Sequence, residues 1–567
     1  MLPNTDDEGT TGYKPVGRVR SIRGSEVWIG LHGGTRPTQT TATVGQFFGI
    51  CRGQSLVVGM ISEVSMEVSP EARKDGYSAI ASVALMGEIT DDEYPGHAHF
   101  HRGVTHYPEI GDPGVLIGTR ELRTIYDVDG SIAIELGSLQ QNSTIAARVD
   151  ANEMMNKHFA ILGSTGMGKS SAIALIVQRL LARSDLRIFL LDSHNEYGHC
   201  FGDAALVVNV ANLNLPFWLF TFEELLEVIF AGEPGNTEEV EILAELIPLA
   251  KGLYSHSTGH LTARRSDSTA YTIDTPVPYW LQDLLDLIDK KIGKLETSNS
   301  LRQHYHRLIT RIEAVSNDPR YAFMFANANV GGDTMADILR HLFRLQPNGK
   351  PITVVQLAGI PFEVVDVVVS VLCRMAFDFG LWSDGAVELL LICEEAHRYV
   401  SADRSLGFQP TRRVLSRIAK EGRKYGIFLG LVTQRPSEID ATILSQCGTL
   451  FAMRMANEQD QQLVQAAASD AAANLLQFLP SLATREVLAF GAGVVLPTRF
   501  TFSLLPKHLI PRGEASGRRR LQVGLDARFT NLVIERWRGA VTNSLGSATA
   551  SAPRDMSAKV KSRGLQK

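Results

Sequence analysis

The sequence predicts an α/β P-loop nucleotide-binding core with a helical insertion, preceded by a small N-terminal β-barrel. Three observations predict it. Residues 158–183, HFAILGSTGMGKSSAIALIVQRLLAR, run from an apolar strand through a GxxxxGKS loop into a helix, the order of elements a phosphate cradle requires. Residues 15–140 break into short alternating runs punctuated by glycine. From residue 146 onward, strands alternate with helices, the pattern of a parallel sheet covered on both faces.

The barrel is read over 1–145. Its candidate strands are VGRVRSI, SEVWIGL, TATVGQFFGI, SLVVGMISEVSM, YSAIASVALMGEI, VLIGT and SIAIELGSL, and seven short runs of this kind suit a closed sheet. Within it, His97, His99 and His101 would share one face of a strand and invite a metal reading. No Cys, Asp or Glu completes a ligand set, so a surface turn is expected there.

The motor is read over 146–505. Its strand candidates are 158–162, 187–192, 352–357, 387–393, 427–433, 448–454 and 485–490. Between Lys169 and the carboxylates at 394 lie 225 residues, more than a minimal sheet of this type needs. The excess is an apparently helical insertion at about 222–345, with FEELLEVIF, EEVEILAELIPLAKGLY, WLQDLLDLIDKKIGKL and SLRQHYHRLITRIEAV as its helices. Amphipathic, acidic helices of this kind suit plain packing or a partner surface. Residues 506–567 form a basic extension: 512–567 carry 12 Lys/Arg against 4 Asp/Glu, a net +8, so the rest sums to −13 within a total of −5. ARFTNLVIERWRGAV in it reads as a helix, and the last two dozen residues read as disordered.

The chemistry begins in the loop. Gly163, Gly166 and Gly168 let the backbone turn so that the N–H groups of Ser164, Thr165, Met167 and their neighbours converge on phosphates, and the helix adds its positive end. Lys169 is expected to reach the β- and γ-phosphates and the Ser170 hydroxyl to ligate Mg²⁺, with Ser171 beside it. VELLLICEEAH ends a buried strand on Glu394 and Glu395. Glu394 suits a hydrated Mg²⁺ and Glu395 suits polarising the attacking water, though paired acids also suit a helix N-terminus. IFLGLVTQRP ends the next strand on Gln434, an amide placed to sense the γ-phosphate. Between them, TRRVLSRIAKEGRKYG is a basic helix with Arg423 at its C-terminal end. There a cation complements the dipole, and there it can also serve as an arginine finger for a neighbouring subunit.

Composition bounds the rest. At 567 residues, two or three domains are expected, and 44% apolar with 21% charged residues suits a globular protein. No stretch has the length and apolarity of a membrane span, and the polar, acidic start MLPNTDDEGTTGYKP predicts no secretory leader. Five scattered cysteines without a CxxC pair predict reduced thiols and a cytoplasmic protein.

Taken together, FHRGVTHYPEIGD, NKHFAILGSTGMGKS, LLDSHNEYG, LPFWLFTFEEL, ICEEAH, EGRKYGIFLGLVTQRP and GAGVVLPTRF resemble, in order and spacing, the HerA family in the FtsK/HerA branch of P-loop ATPases. The resemblance spans most of the first 505 residues. It implies a HAS-barrel before a RecA-like ATPase motor, six subunits in a ring around duplex DNA, and ATP with Mg²⁺ between neighbours. By similarity, Lys169, Ser170, Glu394, Glu395 and Gln434 act in cis and Arg423 reaches across. Lys157 falls where relatives often carry an arginine that contacts the nucleotide. Two other departures are Glu394 where many relatives have Asp, and Gly491-Ala492-Gly493 where Gly-Glu-Ala is common. The implied function is an ATP-driven DNA translocase or helicase threading DNA for a separate nuclease or antiphage effector, since the chain carries no nuclease motif. The alternatives are an ATP-gated scaffold ring that controls an effector, and a conjugative or secretion-system ATPase.

Overall fold

A computed structural model describes residues 14–32, 42–66, 77–91, 98–126, 133–230, 235–257, 271–294, 299–346, 349–403, 405–468 and 475–512, with the single positions 473 and 534. They fall in two compact units, one drawn from 1–207, 339–358 and 366–517, the other from 208–338 and 359–365. The expected helix at 527–541 lies outside the described residues, apart from position 534.

The first unit opens with β1 (Gly17–Arg23), β2 (Glu26–His32), β3 (Phe47–Arg52), β4 (Ser55–Ser65), β5 (Tyr77–Asp91), β6 (Ala98–Arg102) and β7 (Pro113–Leu116). They pair in the order β2-β1-β7-β3-β4-β5-β6, and β2 also pairs with β5. Six strands therefore close on themselves and β6 hangs on β5 as a seventh. Alternation puts Val19, Val27, Ile29, Phe48, Ile50, Val57 and Val83 into one core. The HAHFH segment supplies β6, antiparallel to β5 with His99 opposite Thr90 and His101 opposite Glu88, so it is a strand and not the surface turn expected. Among the described residues no three His, Cys, Asp or Glu side chains cluster as metal ligands, and His97 lies outside them.

The second sheet comprises β8 (Ala133–Leu139), β9 (Ala146–Asp150), β10 (Phe159–Leu162), β11 (Leu186–Asp192), β12 (Ala205–Val208), β13 (Ile352–Gln356), β14 (Glu388–Cys393), β15 (Ile427–Thr433), β16 (Thr449–Met453), β17 (Glu486–Gly491) and β18 (Thr498–Phe502). Its order is β12-β13-β11-β14-β15-β10-β16-β17-β18-β8-β9. From β13 to β16 the pairings are parallel, and from β16 to β9 they are antiparallel. Strands β10, β13, β15 and β16 are buried along their whole length, which is why they read as continuous apolar runs.

One expectation is corrected here. SIAIELGSL, read as barrel, is β8 of the motor sheet: it pairs with β18, Leu139 opposite Phe500, and with β9, Ile134 opposite Val149. A boundary at 145 therefore cuts a hairpin of the second sheet. Alternation reports a half-buried strand but not which sheet it joins. A Cβ on Gly137 would stand 2.0 Å from the Thr501 carbonyl, so the bare backbone there permits the close approach of β18.

The departure at Gly491-Ala492-Gly493 has a physical account at its third position, where a Cβ on Gly493 would stand 2.9 Å from Thr449 Oγ1 and 3.0 Å from Met154 Cβ, while Gly491 is shared with the common pattern. Gly491 takes φ +112°, and a Cβ there would stand 2.0 Å from the Gly448 carbonyl. Gly493 donates its N–H to Thr449 Oγ1 at 2.9 Å. From β6, Arg102 caps this loop, Nε donating to the Val495 carbonyl at 2.6 Å and Nη2 to Val494 at 3.0 Å and Gly491 at 3.2 Å. Burial lowers the Arg102 pKa.

The second unit carries the insertion as helices Phe222–Phe230, Thr237–Ser257, Leu281–Lys294 and Asn299–Ser316, close to the segments expected. Its buried Lys251 donates to the carbonyls of Ile273 at 2.5 Å and Thr275 at 2.7 Å, tying a turn to the longest of these helices. All five cysteines are buried, and none is in a disulfide.

Candidate nucleotide site

In an open parallel sheet, ligands sit beyond the carboxyl ends of the strands. Four neighbouring strands deliver the site in this way. β10 ends in the glycine loop, β15 beside it ends at Thr433-Gln434, β14 at Glu394-Glu395 and β11 at Asp192.

The loop is built from backbone. Gly166 and Gly168 take φ of +79° and +103°, and a Cβ on Gly163 would meet the Met453 Cβ at 2.8 Å. Its flanks are pinned to both neighbours: Ser164 N–H donates to the Arg454 carbonyl at 2.9 Å and Gly163 N–H to Thr433 at 3.3 Å. The Met167 carbonyl accepts the Arg485 N–H at 2.9 Å. Gly168 then caps the helix Lys169–Leu180. Lys169 Nζ donates to the Ser164 carbonyl of its own loop at 3.1 Å. Burial lowers its pKa, against the opposing pull of Glu395, Glu394 and Glu196. Thr165 donates its hydroxyl hydrogen bond to the Gln434 side-chain carbonyl, bringing the loop and the expected sensor together.

The carboxylates converge opposite. Tyr197, fully buried, donates its hydroxyl to Glu394 Oε1 at 3.1 Å and is hydrogen-bonded to Ser170, joining the two expected Mg²⁺ residues. Asp192 fixes the loop that carries Tyr197 by accepting the N–H groups of Glu196 at 3.0 Å and Tyr197 at 2.9 Å. Burial, and then the negative charges of Asp192 and Glu196, push Glu394 up to about 8. Glu395 takes a left-handed conformation, φ +49° and ψ +47°, uncommon for a side chain of this size. Its Oε1 lies 3.4 Å from His194 Nε2 and its Oε2 3.4 Å from His397 Nδ1.

These groups line a cleft of about 470 Å³ that includes Thr165, Gly166, Gly168 to Ser171, His194, Glu196, Glu394, Glu395, Gln434 and Pro511. Its chemistry fits a divalent cation. Glu394 Oε2 and Glu395 Oε2 are buried without hydrogen-bond partners, and three carboxylates, Glu395, Glu394 and Glu196, act on a single ammonium. Asp192, His194, Glu196 and Tyr197 stand in LLDSHNEYG and His397 in ICEEAH, segments that carry the resemblance, but nothing in the sequence gives any of the five a role.

Residues 134–376 match the family described as Helicase HerA, central domain. Over that segment the chain is similar to the HerA central domain. It is 27% identical over 455 residues to a probable helicase of Methanocaldococcus jannaschii, covering 76% of this chain and 80% of that one. It is 23% identical over 458 residues to the DNA double-strand break repair helicase HerA of Pyrococcus furiosus, covering 76% and 79%. Among solved structures it is similar to VirB4 of Thermoanaerobacter pseudethanolicus, with a TM-score of 0.46 and 15% identity over 67% of this chain and 98% of that one. The chain is a P-loop ATPase, and among the described residues no helix is long and apolar enough to cross a membrane.

Two expected residues stand away from the cleft. Lys157 precedes β10, six positions before the loop begins, and pairs with Glu153 at 2.9 Å on the exposed surface. At about 3.3 Å per residue, that is about 20 Å from the phosphate loop. The resemblance expects Lys157 at the nucleotide; on its own chain it stands at the opposite end of the strand. Arg423 lies in the turn before β15, while Gln434 follows that seven-residue strand, a separation of about 23 Å. Arg423 is exposed and makes no ion pair among the described residues.

Proposed function

We propose that this protein is an ATP-driven DNA translocase or helicase that works as a hexameric ring, threading duplex DNA for a separate nuclease or defence effector. The observation that carries the reading is the split just described. One end of the strands holds the phosphate loop, Lys169 and the paired acids, with Arg435 beside Glu395 and Arg454 against Met167 of the loop, but not Arg423. The opposite end presents Arg423 and Lys157 to solvent. Side chains some 20 Å apart on one chain can meet at one nucleotide only when they come from different copies, and head-to-tail copies form a ring where the rotation closes.

At that seam, Lys169 leaves the Ser164 carbonyl for the β- and γ-phosphates, and Gln434 leaves Thr165 to face the γ-phosphate. Ser170 and Glu394 would hold Mg²⁺, which neutralises phosphate charge when bound. Glu395 accepts a hydrogen bond, and then the proton, from the attacking water, and Arg423 of the adjoining copy stabilises charge on the transferring group. The names of the relatives support the DNA substrate. Backbone-held duplex predicts sequence-indifferent binding that falls steeply with salt.

The test is to mix Glu395→Gln and Arg423→Ala proteins, each inactive alone. Mixed rings contain some seams with an intact acid on one side and an intact guanidinium on the other, so turnover should partly return. Mixtures that form rings and stay inactive refute the shared seam.

A further inference from the structure

Glu395 is buried, yet its Oε2 has no hydrogen-bond partner. A carboxylate that must aim one oxygen at a water molecule needs its other oxygen or its torsions held, because a misplacement of about 1 Å costs on the order of 10²-fold in rate. His397 stands beside that orphaned oxygen. Its Nδ1 lies 3.4 Å from Glu395 Oε2 and 3.1 Å from Thr433 Oγ1. One ring nitrogen thus stands between two oxygens and can serve one at a time.

The two oxygens belong to the two halves of the machinery. Thr433 is the last residue of β15, immediately before Gln434, and its Oγ1 also accepts the Arg435 N–H at 3.0 Å. Glu395 and His397 belong to the turn after β14, where the left-handed backbone at Glu395 and the short helix Ala396–Arg398 set both side chains toward the end of β15. His397 is largely buried, with 14% of its side chain exposed, and so has few other partners to choose from.

We propose that His397 is the positioning residue for Glu395: its Nδ1 exchanges Thr433 for the free carboxylate oxygen and fixes Glu395 in the attacking orientation. The exchange ties water activation to the strand that carries Gln434. The inference rests on the reading of Glu395 as the group that polarises the water.

The experiment uses the full-length protein and compares His397→Leu, His397→Asn and His397→Gln by steady-state ATP hydrolysis, with thermal melting as the check on folding. Asparagine carries its amide nitrogen the same number of bonds from Cα as Nδ1, whereas glutamine carries it one bond further. His397→Leu and His397→Gln should lower kcat by about 10- to 100-fold with KM within about threefold of wild type. His397→Asn should recover most of that loss. If the leucine protein does not fold, the Asn and Gln pair decides. Equal activities for that pair, or a loss carried by KM, overturn the proposal. Glu395→Gln is measured alongside. If it is inactive while every His397 variant matches wild type, only the positioning role fails. If Glu395→Gln turns over normally, the reading of Glu395 fails and the proposal with it.

Discussion

Lowering the pH from 7 to 5 should loosen the edge of the sheet that carries Arg423, through one buried histidine. His158 opens β10, is 3% exposed, and takes φ +55°. Its Nδ1 accepts the Leu429 N–H at 3.0 Å, which requires the proton on Nε2, and Nε2 donates to the Ala419 carbonyl at 3.1 Å. The neutral ring therefore bridges β15 and the helix Gln409–Glu421 that leads to Arg423. Burial is the main cause that lowers its pKa to about 4, with the nearby Arg423 charge adding to it. The unfolded chain takes up the proton near pH 6.5 and the folded one only near 4. Stability from this group is present above about 6.5 and is lost as pH falls toward 4. Linkage at 1.36 kcal/mol per unit puts the loss between pH 7 and pH 5 at about 2 kcal/mol, on the order of 2 °C in melting temperature for a unit this large. Carboxylates titrate nearby, so the comparison is with His158→Leu, which leaves the Leu429 N–H and the Ala419 carbonyl unsatisfied at about 1–3 kcal/mol each. That variant should melt lower at pH 7, and its deficit should shrink by about 2 °C at pH 5. Parallel melting curves for the two proteins across this range would refute the assignment of a neutral, proton-excluding ring.

Lys169→Ala should abolish binding of a fluorescent ATP analogue, measured by anisotropy, while leaving the melting temperature within about 2 °C, since the ammonium bonds only its own loop. Gly491→Ala should cost at least about 3 kcal/mol, because φ +112° and a Cβ 2.0 Å from a carbonyl leave no relaxed position; soluble yield and melting report it. Arg102→Ala uncaps three carbonyls and should destabilise the first unit by about 1–3 kcal/mol, visible as faster amide exchange at 491–495. Raising salt from 50 to 200 mM should weaken duplex binding by about 10³-fold or more without sequence preference, as read by competition with unrelated duplexes.

Much of the nucleotide site is legible because its chemistry is local. Gly163 to Ser171 needs only its own glycines and a following helix, and Glu394, Glu395 and Gln434 announce themselves by ending apolar runs. The strands of the parallel block follow from the same apolar runs, and the insertion's helices from their periodicity. Partners across the sheet are not local, and there the reading stops. Tyr197 bridging Ser170 to Glu394, and His397 standing between Thr433 and Glu395, depend on β11, β14 and β15 being neighbours, which no spacing in the chain reveals.

By itself the sequence determined that a phosphate loop, two acids and an amide each cap a strand, because backbone torsion and hydrophobic burial are written in adjacent residues. Only the tertiary structure decided that β8 joins the second sheet, that Lys157 and Arg423 share the edge opposite Lys169, and that His158 is buried neutral. Strand order, direction and register come from pairings between residues hundreds of positions apart, and those pairings alone decide which end of a strand a side chain occupies and what it can reach.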